Sequence, residues 1–204
     1  MQSTVYKNRV TSAAFPARRE ASGWLTYTAL SLVFAGFTGL CAQIRFYLPF
    51  TPVPVTGQVF AVLLSGLLLG KKYGPLSQVF YLVLGVAGIP WFVVGPIGPT
   101  GGYIVGFIVA PFLIGELFER AQLRHSNAHT VGLSNRKTTT VPYTKTLAIV
   151  LAGVALIYVL GLIQFSIYTQ TGPIRSLKYA VLPFIPFDAA KAVLAAAAAR
   201  AFVR

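Results

Sequence analysis

The chain has 204 residues, of which 55% are hydrophobic and 10% charged, more apolar surface than a soluble domain of this length can bury. Its formal charge of +13 is spread in short clusters between apolar runs rather than gathered into one stripe, which argues against nucleic-acid binding. A single cysteine, Cys41, excludes an intrachain disulfide and a cysteine-built metal cluster.

Residues 1–23 are polar, with Lys7, Arg9, Arg18 and Arg19 against the lone Glu20, and they read as a basic cytoplasmic tail. A short organelle transit peptide is the alternative for this segment. A helix needs about 20 apolar residues to cross a bilayer. Apolar runs fall at about 24–44, 57–70, 75–90, 102–118, 146–168 and 180–203, which predicts a single all-α membrane domain of six transmembrane helices over 24–204. In the first run Ser31, Ala35 and Gly39 recur every four residues and make a smooth stripe for close helix packing, against another chain or within this one.

Between the first two runs lies Gln43-Ile44-Arg45-Phe46-Tyr47-Leu48-Pro49-Phe50-Thr51-Pro52-Val53-Pro54-Val55-Thr56. Its three prolines fix φ and remove backbone donors, giving a stiff extended loop suited to a lid or a rigid connector. The second and third runs are short and are joined by Gly70-Lys71-Lys72-Tyr73-Gly74, the pattern of a helical hairpin with a turn at the interface. Before the fourth run, Trp91 and Phe92 precede Gly98-Pro99-Thr100-Gly101-Gly102-Tyr103. The free amides of a helix N-terminus at Gly101 and Gly102 suit a polar oxygen, while Trp91 and Tyr103 could equally be interfacial anchors.

Residues 119–145 read as a long polar inner loop carrying His125 and His129, solvated rather than metal-binding because no third ligand follows. With the N-terminus inside, the outer side holds only Arg45, Arg175 and Lys178, Lys191 lies within the last helix, and the other 13 of 17 basic residues are inside. That asymmetry predicts both termini in the cytoplasm. In the last run Asp188 and Lys191 share one helical face within an alanine-rich stretch, and Pro186 suits a helix start. Ionisable groups at membrane depth are costly and mark a functional cavity or a structural ion pair.

These segments resemble the BioY family of biotin-specific substrate-binding subunits in energy-coupling-factor transporters. The resemblance covers about Leu40–Glu119 and Leu182–Ala197. It is carried by Ala42-Gln43-Ile44-Arg45 with Pro49-Phe50-Thr51-Pro52-Val53-Pro54-Val55-Thr56, by Ala61-Val62-Leu63-Leu64-Ser65-Gly66-Leu67-Leu68-Leu69-Gly70, by Gly98-Pro99-Thr100-Gly101-Gly102-Tyr103, and by Phe187-Asp188-Ala189-Ala190-Lys191-Ala192. The basic N-terminal tail and the long inner loop depart from the family pattern.

The resemblance implies the six-helix substrate-subunit fold in the cell membrane, with biotin as the transported ligand. It also implies a transmembrane coupling subunit and two ABC-type ATPases as partners, ATP being used by those partners, no cofactor in this chain, and no enzymatic activity of its own. The Ser31, Ala35, Gly39 face would then be the docking surface.

Biotin presents a bicyclic body, a ureido group and a carboxylate. Its site needs aromatic walls, an acceptor such as Asp188, and donors among Lys191, Arg45, Gln43, Thr100 and the amides of Gly101 and Gly102, with Trp91, Phe92 and Tyr103 covering the rings. A carrier of another vitamin uses the same fold with different pocket residues. A retinal-type protein built on Lys191 and Asp188, or an intramembrane enzyme, are more distant readings.

Overall fold

The computed structural model describes residues 23–90, 98–130 and 141–202, the stretch 126–130 by its backbone alone. Trp91 and Phe92 lie outside the described residues. Helix α1 spans Gly23–Gln43, followed by two short strands, β1 (Arg45–Phe46) and β2 (Val55–Thr56), which pair antiparallel with Arg45 opposite Thr56. Then come α2 (Gln58–Val86), α3 (Gly101–Thr130), α4 (Tyr143–Thr169), α5 (Pro173–Ala180), a 3-10 turn (Leu182–Phe184) and α6 (Ile185–Phe202).

Five stretches are long and apolar enough to cross a membrane: α1, α2, α3 through His125, α4, and the α5–α6 segment Pro173–Phe202. The second of them is folded on itself. Gly70 has φ 72° and ψ −172°, which interrupts the helix. Gln58 and Tyr81, which an unbroken helix would hold roughly 34 Å apart, are 2.7 Å apart through a side-chain hydrogen bond. The arms 58–69 and 71–86 are therefore antiparallel, the hairpin expected from Gly70–Gly74.

Glycine is the residue that suits the reversal without strain. Its φ lies in the left-handed region, and a Cβ would stand 2.7 Å from Glu119 Oε1. Lys71 fastens the turn to α3, its Nζ at 2.6 Å from Glu116 and 3.6 Å from Glu119, while its backbone N–H donates to Glu119 Oε1 at 3.2 Å.

Helix α1 packs along α2. Ser31, Ala35 and Gly39 are buried, the Ser31 hydroxyl donates to the Tyr73 carbonyl at 3.1 Å, and Tyr27 stacks on Tyr73 at 5.0 Å. The smooth stripe considered as a docking surface is thus used inside the chain, where small side chains let α1 and α2 approach. What α1 turns outward is apolar instead, with Trp24, Leu32, Val33 and Leu40 exposed. Alanine does the same job in α6, burying Ala192, Ala195, Ala196 and Ala199 against the bundle.

Three expectations change. Residues 119–130 continue α3 instead of starting a loop, because Glu119, Arg120, Ala121, Gln122, Leu123 and Arg124 are good helix formers and a helix need not be apolar once it leaves the membrane. His125 therefore sits on a helix. The apolar run 180–203 begins with a turn, and α6 starts only at Ile185. Residues 173–180, read as part of an outer connection, form α5, with Pro173 at a first-turn position where its missing N–H costs nothing.

Candidate functional site

The end of the bundle with the β1–β2 ribbon encloses a cavity to which every other membrane helix except α1 contributes. The ribbon forms the roof through Val53, Pro54 and Thr56, and α2 gives Gln58 and Val59 from one arm and Tyr81 from the other. Thr100, Tyr103, Ile104 and Phe107 come from the start of α3, Ile157 and Tyr158 from α4, and Phe184, Asp188 and Lys191 from the last turn and helix. The walls are mainly apolar and aromatic, with a few polar groups aimed inward, the composition of a small-molecule site.

Asp188 is the centre of its polar part. The residue is only 4% exposed and lies in the first turn of α6, where a carboxylate also complements the helix dipole. Tyr158 donates to its Oδ2 at 2.7 Å, and Lys191 Nζ donates to its Oδ1 at 2.7 Å. Both oxygens are thus held by groups that form the same cavity wall. An isolated carboxylate at this depth would be strongly penalised. The ammonium and the phenol compensate it and hold it in place, and each oxygen retains lone pairs for a further donor.

A second polar chain joins roof to wall. Thr56 Oγ1 donates to Gln58 Oε1 at 2.9 Å, and Gln58 Nε2 donates to the Tyr81 hydroxyl at 2.7 Å. Phe46 in β1 meets Phe187 edge-to-face at 5.2 Å, tying the ribbon to the residue before Asp188. Tyr103 donates its hydroxyl to the Ala180 carbonyl, which pins α3 to the end of α5.

Of the residues singled out in the sequence, Asp188, Lys191, Thr100 and Tyr103 converge on the cavity. Arg45 and Gln43 are exposed outside its lining, and Gln43 Nε2 reaches the carbonyls of Gly39 and Pro90 at 3.5 Å. The Gly101 N–H donates to Gly98 at 3.1 Å. Gly102 serves packing, since a Cβ there would lie 2.2 Å from the Leu160 carbonyl oxygen.

Sequence reasoning passed over Tyr158, Gln58 and Tyr81. Tyr158 had one available signal: it puts a hydroxyl in the middle of an otherwise apolar stretch, far from either end of α4, where a buried phenol needs a partner.

The fold and cavity define a multi-pass membrane protein with an enclosed small-molecule site at one end of its bundle. Its relatives narrow that class. The model of the BioY family matches residues 11–204. The biotin transporter BioY of Thermotoga maritima is 36% identical over 155 residues, covering 73% of this chain and 80% of that one. The probable biotin transporter BioY of Methanothermobacter thermautotrophicus is 38% identical, covering 68% and 86%. A crystal structure of the S-component for biotin from an ECF-type ABC transporter superposes with a TM-score of 0.71 at 26% identity, covering 89% of this chain and 92% of that one. The chain belongs to the BioY family.

Proposed function

We propose that the chain is the biotin-binding subunit of a vitamin importer: it captures biotin from the outer side in the cavity under the β1–β2 ribbon and is not itself an enzyme. The observation that carries this is Asp188, a buried carboxylate held by Tyr158 and Lys191 in the wall of an aromatic cavity, in a chain whose relatives are named biotin transporters. The site offers an acceptor, donors and ring-sized apolar walls together, which is the set that a ureido-bearing bicyclic acid requires.

In the same reading α1, the two arms of α2, α3, α4 and the α5–α6 segment make six crossings, with both termini in the cytoplasm of a cell whose plasma membrane holds the protein. The basic asymmetry of the sequence supports that orientation. Energy would come from partners, a transmembrane coupling subunit and two ABC-type ATPases.

The test is calorimetric titration of the purified, ligand-free protein in detergent with biotin, thiamine and riboflavin. Saturable heat for biotin alone is expected. Binding of another vitamin in its place would reassign the cavity within the same fold.

A further inference from the structure

Among the described residues, charges at the cavity end of the bundle are of one sign once the internal pair is set aside. Asp188 and Lys191 neutralise each other at 2.7 Å. Glu116 and Glu119 sit at the opposite end, bound to Lys71, with Arg120 also on Glu116. Around the cavity this leaves Arg45 in β1 and Arg175 and Lys178 in α5, all three exposed, and none is in a salt bridge among the described residues. Residues 87–90 and 98–100 include no charged residue.

Arg45 stands at the edge of the site, and α5, which carries the other two, is joined to its wall. Arg45 is directly opposite Thr56, a lining residue, and opposed residues of an antiparallel pair project to the same face. Lys178 precedes by two residues Ala180, whose carbonyl receives the hydroxyl of Tyr103 in the cavity wall. Lys178 has a structural use as well, since it lies in the last turn of α5 and complements that helix end. Arg175, one turn earlier, has no such use.

We propose that Arg45, Arg175 and Lys178 form an electrostatic collar that draws an anionic ligand to the cavity mouth, setting how fast it is captured rather than how firmly it is held. The inference rests on the biotin reading, because the carboxylate is the only charge that biotin carries at neutral pH. Cations of one sign beside a low-dielectric wall concentrate the field at the opening and raise association rates by about 10- to 1000-fold. Such long-range attraction acts on association far more than on dissociation, and it fades as the screening length contracts from about 30 Å at 0.01 M salt to about 10 Å at 0.1 M.

Stopped-flow association of the full chain in non-ionic detergent tests this with biotin and its uncharged amide across 10 mM to 500 mM salt. The collar requires the biotin rate to fall about tenfold over that range while the rate for the amide stays level. It also requires the double variant Arg175→Gln/Lys178→Gln to slow biotin association several-fold at low salt, with dissociation unchanged. A salt-independent biotin rate, an equal fall for the amide, or a double variant that alters dissociation alone would overturn it. Absence of any equilibrium binding of biotin would instead bring down the ligand reading, and the collar with it.

Discussion

A carboxylate at membrane depth is tolerated only with partners, and Asp188 has two. Removing the charge separates their roles. Asp188→Ala leaves the Lys191 ammonium uncompensated in the bundle, a change that costs about 3–5 kcal/mol when a buried pair is broken. It should lower the thermal midpoint and abolish biotin binding together. Tyr158→Phe deletes one hydrogen bond to a charged acceptor, on the order of 1.5–3 kcal/mol. It should weaken biotin binding by about ten- to a hundredfold in a titration, with the fold intact. Unchanged affinity in the Tyr158→Phe protein would show that its hydroxyl supports the helix and not the site.

At the scale of elements, the site depends on connections that hold helix ends in register. The β1–β2 roof is tied to both arms of α2 through Thr56, Gln58 and Tyr81 and to α6 through Phe46 and Phe187. Gln58→Ala removes two of those hydrogen bonds, and the rate of biotin release should rise about fivefold or more, from roughly 1 kcal/mol per bond. At the other end Gly70 makes the hairpin possible. Gly70→Ala forces a side chain into the left-handed region and against Glu119, a strain of about 1–3 kcal/mol, and the thermal midpoint should drop by several degrees.

Much of this architecture was legible before the structure, because a membrane leaves few options. Apolar length located α1, both arms of α2, α3 and α4, and the Gly-Lys-Lys-Tyr-Gly sequence marked the reversal. Asp188 and Lys191 were legible for the same reason, as charges in an alanine-rich run. Elsewhere the signal was local while the cause was tertiary. Helix α5 is too short and too polar for a span, so hydropathy passed it by. Glu119–Thr130 stays helical without apolar character. Gly102 looked like a ligand-facing amide, yet the proximity of Leu160 across the α3–α4 contact is what requires it. Gln58 and Tyr81 meet only because the hairpin closes.

The whole molecule presents two chemically distinct ends joined by an apolar belt. One end carries the cavity, and the other holds the Lys71, Glu116, Glu119 and Arg120 network. The expected sidedness can be read with a membrane-impermeant thiol reagent in a Cys41→Ala background. Lys178→Cys should be labelled from outside intact cells and Lys72→Cys only after the membrane is opened; the reverse pattern would invert the orientation.

The central claim is that the cavity built on Asp188 is where biotin binds. Parallel titration of biotin into the native protein and the Asp188→Asn variant, each shown to be folded by its thermal transition, tests it most directly. The native protein should bind biotin tightly and saturably, and the neutral, equally sized side chain should weaken binding by about a hundredfold, the loss of a charged acceptor together with the rearrangement of Lys191. Native-like biotin affinity in a folded Asp188→Asn protein would contradict the account.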